Sequence, residues 1–260
     1  MITGISAASL YPLETEKALV HLSGLGYRHF EIFINAFSEL SKEYCDCLNA
    51  LQRERGFQIR SVHPFTSALE SMLLFERYDR RTEEGFRLYT EYMKAAERIG
   101  ASILVLHGQR LGAGSLSDME YYERYHKLYR IGQTLGITVA QENVRQFRSS
   151  SPEFIKGMRD ALQDECAFVF DVKQAHMSNI DPLSMLDAMG NRVCHLHLSD
   201  HNAEKSCMLP GEGSFDFAAL RQKLNDIGYT GAVFTEVYRS AVISDEHLLR
   251  ARHTVETLFE

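Results

Sequence analysis

Six short β-prone runs of the sequence end in, or carry near their end, an acidic or imidazole side chain. In chain order these residues are His63, His107, Glu142, Asp171, His197 and Glu236. Asp and Glu number 35 and His 11 in a chain of 260 residues, so fewer than one residue in five is of these types. Because six successive runs ending in them form a pattern, these side chains are the first candidates for a functional site.

Side chains of these types, brought together at one place, would bind a divalent cation. Clustered carboxylates repel one another, and their mixture with imidazole nitrogen suits Mn²⁺, Mg²⁺, Co²⁺ or Zn²⁺. Other roles are open for individual residues. Hydrogen bonding within a pocket would explain His63 and His107 equally well, and Asp171 is also placed to cap the segment that follows it.

Two more alternatives concern the glutamates and the seventh run. Glu142 and Glu236 could be structural ion-pair partners rather than ligands or bases. His195 and His197 lie two residues apart, so both point to the same face of a strand. We favour His197 as the functional residue, because His195 lies deeper in the run.

Polar side chains near these residues are candidates for substrate binding. Lys173 and Gln174 closely follow Asp171, and Arg145 and Arg239 each come three residues after a glutamate of the set. A guanidinium binds phosphate or carboxylate through paired hydrogen bonds, so these positions permit an anionic substrate. A solvated or salt-bridged side chain on a loop is an equally good explanation for the lysine and for each arginine.

The runs that carry these residues alternate with helical segments. We predict eight strands, over Ile2–Ser6, His29–Ile34, Phe57–Val62, Ser102–Leu106, Ile137–Gln141, Ala167–Phe170, Val193–Leu198 and Ala232–Val237. Most are continuous apolar runs, which are typical of strands buried on both faces of a parallel sheet. Helix signals lie between them, including a capping box at Ser117–Glu120 and a proline after a cap residue at Pro152 and Pro182.

Eight strand–helix units predict an α/β fold, the (β/α)₈ TIM barrel, as a single domain over residues 1–260. A doubly wound open sheet is the alternative, but no Gly-x-Gly-x-x-Gly motif follows the first strand. Active sites of (β/α)₈ barrels lie at the carboxyl ends of the strands. The fold therefore predicts that the six side chains face one another across one mouth of the barrel.

Composition narrows the class of function. The formal net charge of −7 argues against binding of nucleic acid through a general basic surface. No apolar run approaches the roughly 20 residues that span a bilayer, and the N-terminus does not read as a signal peptide. Five scattered cysteines fit reduced thiols in a cytosol. We expect a cytoplasmic protein with a small-molecule partner, no nucleic acid or membrane partner, and self-association into a homo-oligomer left open.

Short motifs around the six residues resemble one superfamily. They are HP at His63, LHG at His107, ENV at Glu142, FDVKQAH at Asp171, HLHLSD at His197, PGEGSFDF at Pro210–Phe217 and FTEV at Glu236. In this order they resemble the xylose isomerase-like barrels, which include sugar and sugar-phosphate isomerases and epimerases as well as abasic-site endonucleases. The resemblance extends from the first strand to the last helix, and it is specific for the superfamily rather than for a substrate.

The resemblance implies a role for each motif residue. It implies a divalent metal held by Glu142, Asp171, His197 and Glu236. In the ketose epimerases, the glutamates that match Glu142 and Glu236 also act as the acid and base pair. His63 and His107 match positions that bind additional zinc in the endonucleases and that often contact substrate in the isomerases.

One departure from the family pattern separates its branches. The endonucleases have a histidine three residues after the aspartate of strand six, and an Asp-x-His shortly before the GEG motif. Here these places hold Gln174 and the stretch Lys205-Ser206-Cys207, so the third metal site of that branch is missing. Many epimerases also have a substrate-contacting histidine at the position of Gln174, so their sugar preference is not transferred to this chain.

Together, the residues and the resemblance predict a metal-dependent sugar or sugar-phosphate isomerase or epimerase. The metal would stabilise an enediolate, while Glu142 and Glu236 move the proton next to the carbonyl. Proton transfer on opposite faces would epimerise a carbon, and transfer between neighbouring carbons on one face would isomerise an aldose and a ketose. The alternatives are a related lyase or hydrolase, such as an inosose dehydratase-like or abasic-site endonuclease-like enzyme, and a catalytically silent sugar-binding protein.

Overall fold

Within residues 1–114 and 116–259, which this computed structural model describes, eight parallel strands close into a barrel in chain order. The strands are β1 (Ile2–Ser6), β2 (His29–Ile34), β3 (Gln58–Pro64), β4 (Ile103–Leu106), β5 (Thr138–Glu142), β6 (Phe168–Asp171), β7 (Val193–Leu198) and β8 (Ala232–Thr235). The barrel closes where β1 pairs with β8, with Gly4 opposite Phe234. The predicted (β/α)₈ TIM barrel is confirmed.

Helices lie between successive strands and cover the outside of the barrel. In the described part of the chain they are α1 (Thr15–Gly24), α2 (Lys42–Arg55), α3 (Glu70–Leu74), α4 (Asp79–Ile99), α5 (Asp118–Thr134), α6 (Pro152–Leu162), α7 (Val172–Met177), α8 (Pro182–Met189), α9 (Phe217–Asp226) and α10 (Asp245–Phe259). Each longer helix buries one face, as α4 does with Phe86, Tyr89 and Met93, because apolar residues spaced three or four apart share a helix face. None of these helices is long and apolar enough to cross a membrane.

The predicted helix starts are present in the structure. Ser117 Oγ accepts the backbone N–H of Glu120, and the Glu120 carboxylate accepts the backbone N–H of Ser117, which is the reciprocal bonding of a capping box. Pro152 and Pro182 occupy the first turns of α6 and α8 behind cap residues that accept backbone N–H groups. These caps fix the direction in which each helix leaves the barrel mouth.

Four strand ends differ from the prediction in a way that bears on the site. Strand β5 ends at Glu142 and β6 at Asp171, each one residue later than predicted. Strand β3 continues to Pro64, so His63 lies inside it, because pairing with β2 continues to Ile34. Strand β8 ends at Thr235, one residue before Glu236. The Glu236 N–H still donates to Leu198 O at 2.9 Å, so the backbone of this residue remains tied to β7.

The apolar core lies between the strands and the surrounding helices and includes large fully buried side chains such as Phe30, Phe168, Phe170 and Tyr125. Polar residues are buried as well, and many of them come from the strands. The charged or imidazole members include Glu31, His63, Glu142, Asp171, His195, His197 and Glu236. Since burying an unpaired charge is unfavourable, this concentration of charge marks the region to inspect for function.

Candidate metal and catalytic site

Four side chains from successive strands meet at the carboxyl end of the barrel. Glu142 and Asp171 are the last residues of β5 and β6, His197 lies in β7, and Glu236 follows β8 directly. Strand register places Asp171 opposite His197, which sets the two at the same height. One potential ligand atom from each of the four lies within 4.8 Å of the others. We call these four residues the carboxylate cluster.

The His197 ring is the centre of the carboxylate cluster. Its Nδ1 lies 3.0 Å from Glu142 Oε1 and 2.8 Å from Glu236 Oε2. Asp171 Oδ2 is farther away, at 3.8 Å from the same nitrogen. Three carboxylates therefore surround a single imidazole nitrogen, and a divalent cation or a proton on that nitrogen would reduce their mutual repulsion.

Two more imidazoles contact Glu142 from the neighbouring strands. His107 Nε2 lies 2.9 Å from Glu142 Oε2, and His63 Nε2 lies 3.7 Å from the same oxygen. The His63 ring stacks on Phe33 at a centroid distance of 4.1 Å, which fixes its orientation. These two histidines and Glu142 form a second group that could hold a metal, so the structure is compatible with both the pocket and the ligand interpretation of the pair.

Asp171 and Lys173 lie on the other side of the cluster. Asp171 Oδ1 accepts the backbone N–H of Gln174 at 2.8 Å and so caps α7, while Asp171 Oδ2 faces His197. Lys173 Nζ, which is buried, lies 3.2 Å from Asp171 Oδ2 and 3.5 Å from Glu236 Oε2. Both roles considered for Asp171, capping and facing the cluster, are thus compatible with its geometry, and Lys173 is ion-paired rather than solvated.

The pKa values of the three acids differ because their electrostatic environments differ. Burial would raise the pKa of Glu142, but hydrogen bonds from His107 and His197 outweigh it and hold this pKa well below its usual range. Burial also opposes ionisation of Glu236, yet the charges of His197 and Lys173 lower its pKa to about 2. For Asp171 burial prevails, and with repulsion from Glu142 and Glu236 it raises the pKa to about 8.

These residues fit a divalent metal. The cluster offers three carboxylates and one imidazole, a mixed oxygen and nitrogen set of the kind that Mn²⁺, Co²⁺ and Zn²⁺ accept. Asp171 Oδ2 is buried and accepts no hydrogen bond from the described residues, and its charged neighbour is the Lys173 ammonium at 3.2 Å. A cation would also relieve the repulsion that raises the pKa of Asp171.

A cavity of about 380 Å³ opens beside Glu236 and Lys173. Aromatic rings form much of its wall, including Phe33, Phe65 and Tyr238. Arg239 also lines it, while its Nη1 donates to Val242 O at 2.5 Å. The cavity therefore brings together an acidic group, two cationic side chains and an apolar wall.

Two of the predicted substrate-binding residues, Gln174 and Arg145, contact each other. The Gln174 side-chain oxygen accepts the backbone N–H of Arg145 at 3.0 Å, which links the loop after β5 to α7. Arg145 is exposed. In the described part of the chain, no hydrogen bond or ion pair connects either side chain to the carboxylate cluster.

Glu31 in β2 was not among the functional residues predicted from the sequence. Its carboxylate is fully buried, and Oε2 lies 3.0 Å from His197 Nε2 and 3.3 Å from His195 Nε2. A signal was present, since Glu31 is the one acidic residue in the run HFEIFI, in which the residues after His29 are otherwise apolar. His195 proves to face Glu31, which explains why two histidines of β7 share one side of the strand.

The family model for xylose isomerase-like TIM barrels matches residues 20–258. An inosose dehydratase of Clostridium beijerinckii is 20% identical over 257 residues, covering 84% of each chain. The solved D-psicose 3-epimerase of Clostridium cellulolyticum H10 with D-tagatose superposes with a TM-score of 0.79 at 15% identity, over 99% of this chain and 98% of that one. The solved IOLI protein with a bound zinc atom gives a TM-score of 0.78 at 16% identity, over 99% and 98%.

The matched range covers most of the sequence and contains the whole of the carboxylate cluster. The chain belongs to the family of xylose isomerase-like TIM barrels. Its solved neighbours, at these identities, support the fold.

Proposed function

We propose that this protein is a metal-dependent isomerase or epimerase of sugars or sugar phosphates. The observation that carries the proposal is the placement of two glutamates around one imidazole nitrogen, with Glu142 at 3.0 Å and Glu236 at 2.8 Å from His197 Nδ1. Glu236 also lines the adjacent cavity. Two neighbouring carboxylates, one of them lining a cavity, would serve proton removal and proton return next to a carbonyl.

In this proposal the metal is held by Glu142, Asp171, His197 and Glu236. A bound divalent cation supplies Lewis-acid stabilisation of the negative charge that develops on the substrate oxygens. The donor set leaves its identity among Mn²⁺, Mg²⁺, Co²⁺ and Zn²⁺ open. A solved neighbour of the same fold contains a bound zinc atom, which supports a divalent ion as the cofactor.

The two glutamates carry out the proton transfers. The pKa values of both lie below the ordinary range, so both are ionised at neutral pH. Such low pKa values make weak bases, so proton removal would depend on the acidity that a bound cation would give the substrate. Glu142 contacts three imidazoles, whereas Glu236 contacts the His197 imidazole and the Lys173 ammonium. If each glutamate addresses one face of the substrate, removal by one and return by the other inverts the carbon. If both transfers occur on one face, between neighbouring carbons, the result is isomerisation of an aldose and a ketose.

We assign direct substrate binding to four of the predicted residues, Lys173, Arg239, His63 and His107. Lys173 and Arg239 line the cavity and would interact with hydroxyl, carbonyl or phosphate oxygens of the substrate. His63 and His107 reach Glu142 from the opposite side and would contact the substrate near that carboxylate. Gln174 is placed to act through the loop after β5 rather than by direct contact, since its side-chain oxygen is bonded to that loop.

The proposal is tested with a panel of ketoses and ketose phosphates incubated in D₂O with the Mn²⁺-loaded protein. We expect deuterium to enter at the carbon next to the carbonyl, together with an epimeric or isomeric product, as read by NMR after removal of the metal. Product formation without deuterium exchange would contradict proton transfer through solvent-exchangeable carboxylates.

A dehydratase is the second candidate, supported by the similarity to an inosose dehydratase over 84% of this chain. The same abstraction of a proton next to a carbonyl, followed by departure of a β-hydroxyl group as water, would give this reaction. The product mass distinguishes the two, because elimination removes one water and epimerisation leaves the mass unchanged.

We expect no incision of DNA at abasic sites. Gln174 and the stretch Lys205-Ser206-Cys207 lack the ligands of the third metal site, and Gln174 is bonded to the Arg145 backbone. Incision of an abasic-site duplex is measured on a denaturing gel with added Zn²⁺ or Mn²⁺. Robust incision that is abolished in Glu142→Ala would overturn the isomerase proposal.

A further inference from the structure

We propose that Glu31 is a positioning residue of the metal centre, fixing the orientation and the tautomer of His197 from the side opposite the carboxylate cluster. The inference rests on the proposed metal site and assigns a role to a residue that lies outside the four ligands. It follows from the two edges of the His197 ring, which face different acids.

The two ring nitrogens of His197 have separate partners. Nδ1 faces Glu142 and Glu236, whereas Nε2 lies 3.0 Å from Glu31 Oε2. An ionised carboxylate only accepts hydrogen bonds, so Nε2 must carry a proton to donate to Glu31. A neutral ring with its proton on Nε2 has its lone pair on Nδ1, which is the form that binds a metal from the cluster side.

Glu31 is itself held in place by the strands on either side of the barrel interior. Strand register sets Glu31 opposite Ser61, and Ser61 Oγ donates to Glu31 Oε2 at 2.8 Å. His195 Nε2 lies 3.3 Å from the same oxygen. These contacts on one oxygen fix the orientation of the Glu31 carboxylate. The carboxylate in turn orients the imidazole of His197 through its contact with Nε2.

Burial gives a reason to assign a role to this contact. Glu31 and His195 are both fully buried, and Glu31 Oε1 has no hydrogen-bond partner among the described residues. An apolar residue at this position would avoid the desolvation of a carboxylate. A carboxylate behind a metal-binding imidazole, however, orients the ring and makes it a better ligand, and loss of such a partner typically weakens metal binding about 10–100-fold.

The test compares the metal affinity of three variants with that of the parent protein. Mn²⁺ binding is measured by isothermal titration calorimetry on metal-free protein whose circular dichroism and cooperative thermal unfolding match the parent. Glu31→Ala is expected to bind Mn²⁺ about 10–100-fold more weakly. Glu31→Gln keeps an oxygen that accepts the Nε2 proton without the charge, so it is expected to retain more affinity than Glu31→Ala.

Glu54→Ala is the control, because this carboxylate is exposed on α2 and is paired with Arg55, outside the contacts of Glu31 and His197. Its Mn²⁺ affinity is expected to stay close to that of the parent. A second readout is the imidazole ¹H–¹⁵N spectrum of Mg²⁺- or Zn²⁺-loaded protein, in which the parent is expected to show the His197 proton on Nε2. In Glu31→Ala this proton is expected to exchange faster with water.

Parental Mn²⁺ affinity in folded Glu31→Ala would overturn the role of Glu31. Should that variant not fold, Glu31→Leu, which fills the space without an acceptor for the Nε2 proton, takes its place, and parental affinity in folded Glu31→Leu would overturn the role as well. If the parent protein binds Mn²⁺ but the Glu31 variant binds it equally well, only this inference fails. If the parent protein binds no divalent metal, the proposed function fails as well.

Discussion

Two buried acidic regions near the carboxyl ends of the strands differ in what surrounds the carboxylates. Asp200, just after β7, accepts four backbone N–H groups, from His201, Gly211, Gly213 and Phe215 at 2.8–3.0 Å. In the carboxylate cluster, by contrast, three acids face one imidazole nitrogen and one another. Neutral backbone donors satisfy Asp200 completely, whereas the cluster concentrates negative charge that a cation would balance. Burial of an acid therefore does not identify a functional residue, but the nature of its partners does.

The Asp200 contacts also explain part of the PGEGSFDF motif. A side chain at Gly213 would place a Cβ 2.3 Å from Asp200 Oδ1 and 2.4 Å from His201 O, so only glycine fits there. The motif thus forms a loop that folds around one aspartate. We expect its residues to matter for stability, and those of the cluster to matter for activity and metal binding.

The largest effect is expected from removing either glutamate base. Glu142→Gln and Glu236→Gln keep the size of the side chain and one neutral oxygen but cannot accept a proton, so turnover should fall about 10²–10⁴-fold or more. Steady-state kinetics with the substrate found in the ketose panel measures this, and the exposed Glu204→Gln serves as the control. Near-normal turnover in both variants would mean that another group moves the proton, with His63 and His107 the next to test.

The same variants sharpen the choice between epimerase and isomerase. In a two-base epimerase, one of the variants should still exchange the substrate proton with D₂O while failing to invert the carbon, because abstraction survives when only the return is lost. In a single-base isomerase, one variant should lose both exchange and turnover, and the other should be weakened only.

A matched pair of aspartate substitutions tests the two regions directly. Asp200→Asn replaces one of the two oxygens that accept backbone N–H groups by an NH2 donor, so the free energy of unfolding should fall by about 1–3 kcal/mol. Asp171→Asn should leave metal-free stability at pH 7 unchanged or higher, because burial and neighbouring acids raise the pKa of Asp171 to about 8, while its metal affinity should fall. Urea unfolding without metal measures the free energy of unfolding of both variants. Equal losses of stability in the two would contradict the distinction between a structural Asp200 and a metal-binding Asp171.

The barrel could be predicted from the sequence because its strands are apolar runs separated by clear helix caps. The strand-end residues could be predicted as candidates for the same reason: Asp171 and Glu142 each close such a run. The contacts of Glu31 could not be predicted, because its partners come from β3 and β7, far away in the chain. Nor could the bond between Gln174 and the Arg145 backbone, since loop conformation depends on contacts that a local pattern does not encode.

Glu70 in α3 is a buried acid outside both regions, and we expect it to have a smaller, pH-dependent effect on stability. Tyr89 Oη donates to it at 2.6 Å and the Gly108 N–H also donates to it, yet burial raises its pKa from 4.5 to about 8. The folded protein then retains a proton that the unfolded chain releases near pH 4.5, so this group's contribution to stability falls as pH rises from about 4.5 to 8. Glu70→Gln should make the decline between pH 5 and pH 8 shallower, as measured by urea unfolding. Identical slopes for variant and parent would show that Glu70 is ionised in the folded state.

The most direct test of the account is the metal content of the protein with and without His197. After incubation with Mn²⁺ and extensive dialysis, elemental analysis of the parent should find at least one tightly held ion per chain, and His197→Ala should lose it. Since an ion bound only by the folded state stabilises that state, added Mn²⁺ should raise the thermal unfolding temperature of the parent and not of the variant. Unchanged metal content in His197→Ala would remove this residue from the site, and a parent without bound metal would contradict the central claim that the carboxylate cluster is a metal centre.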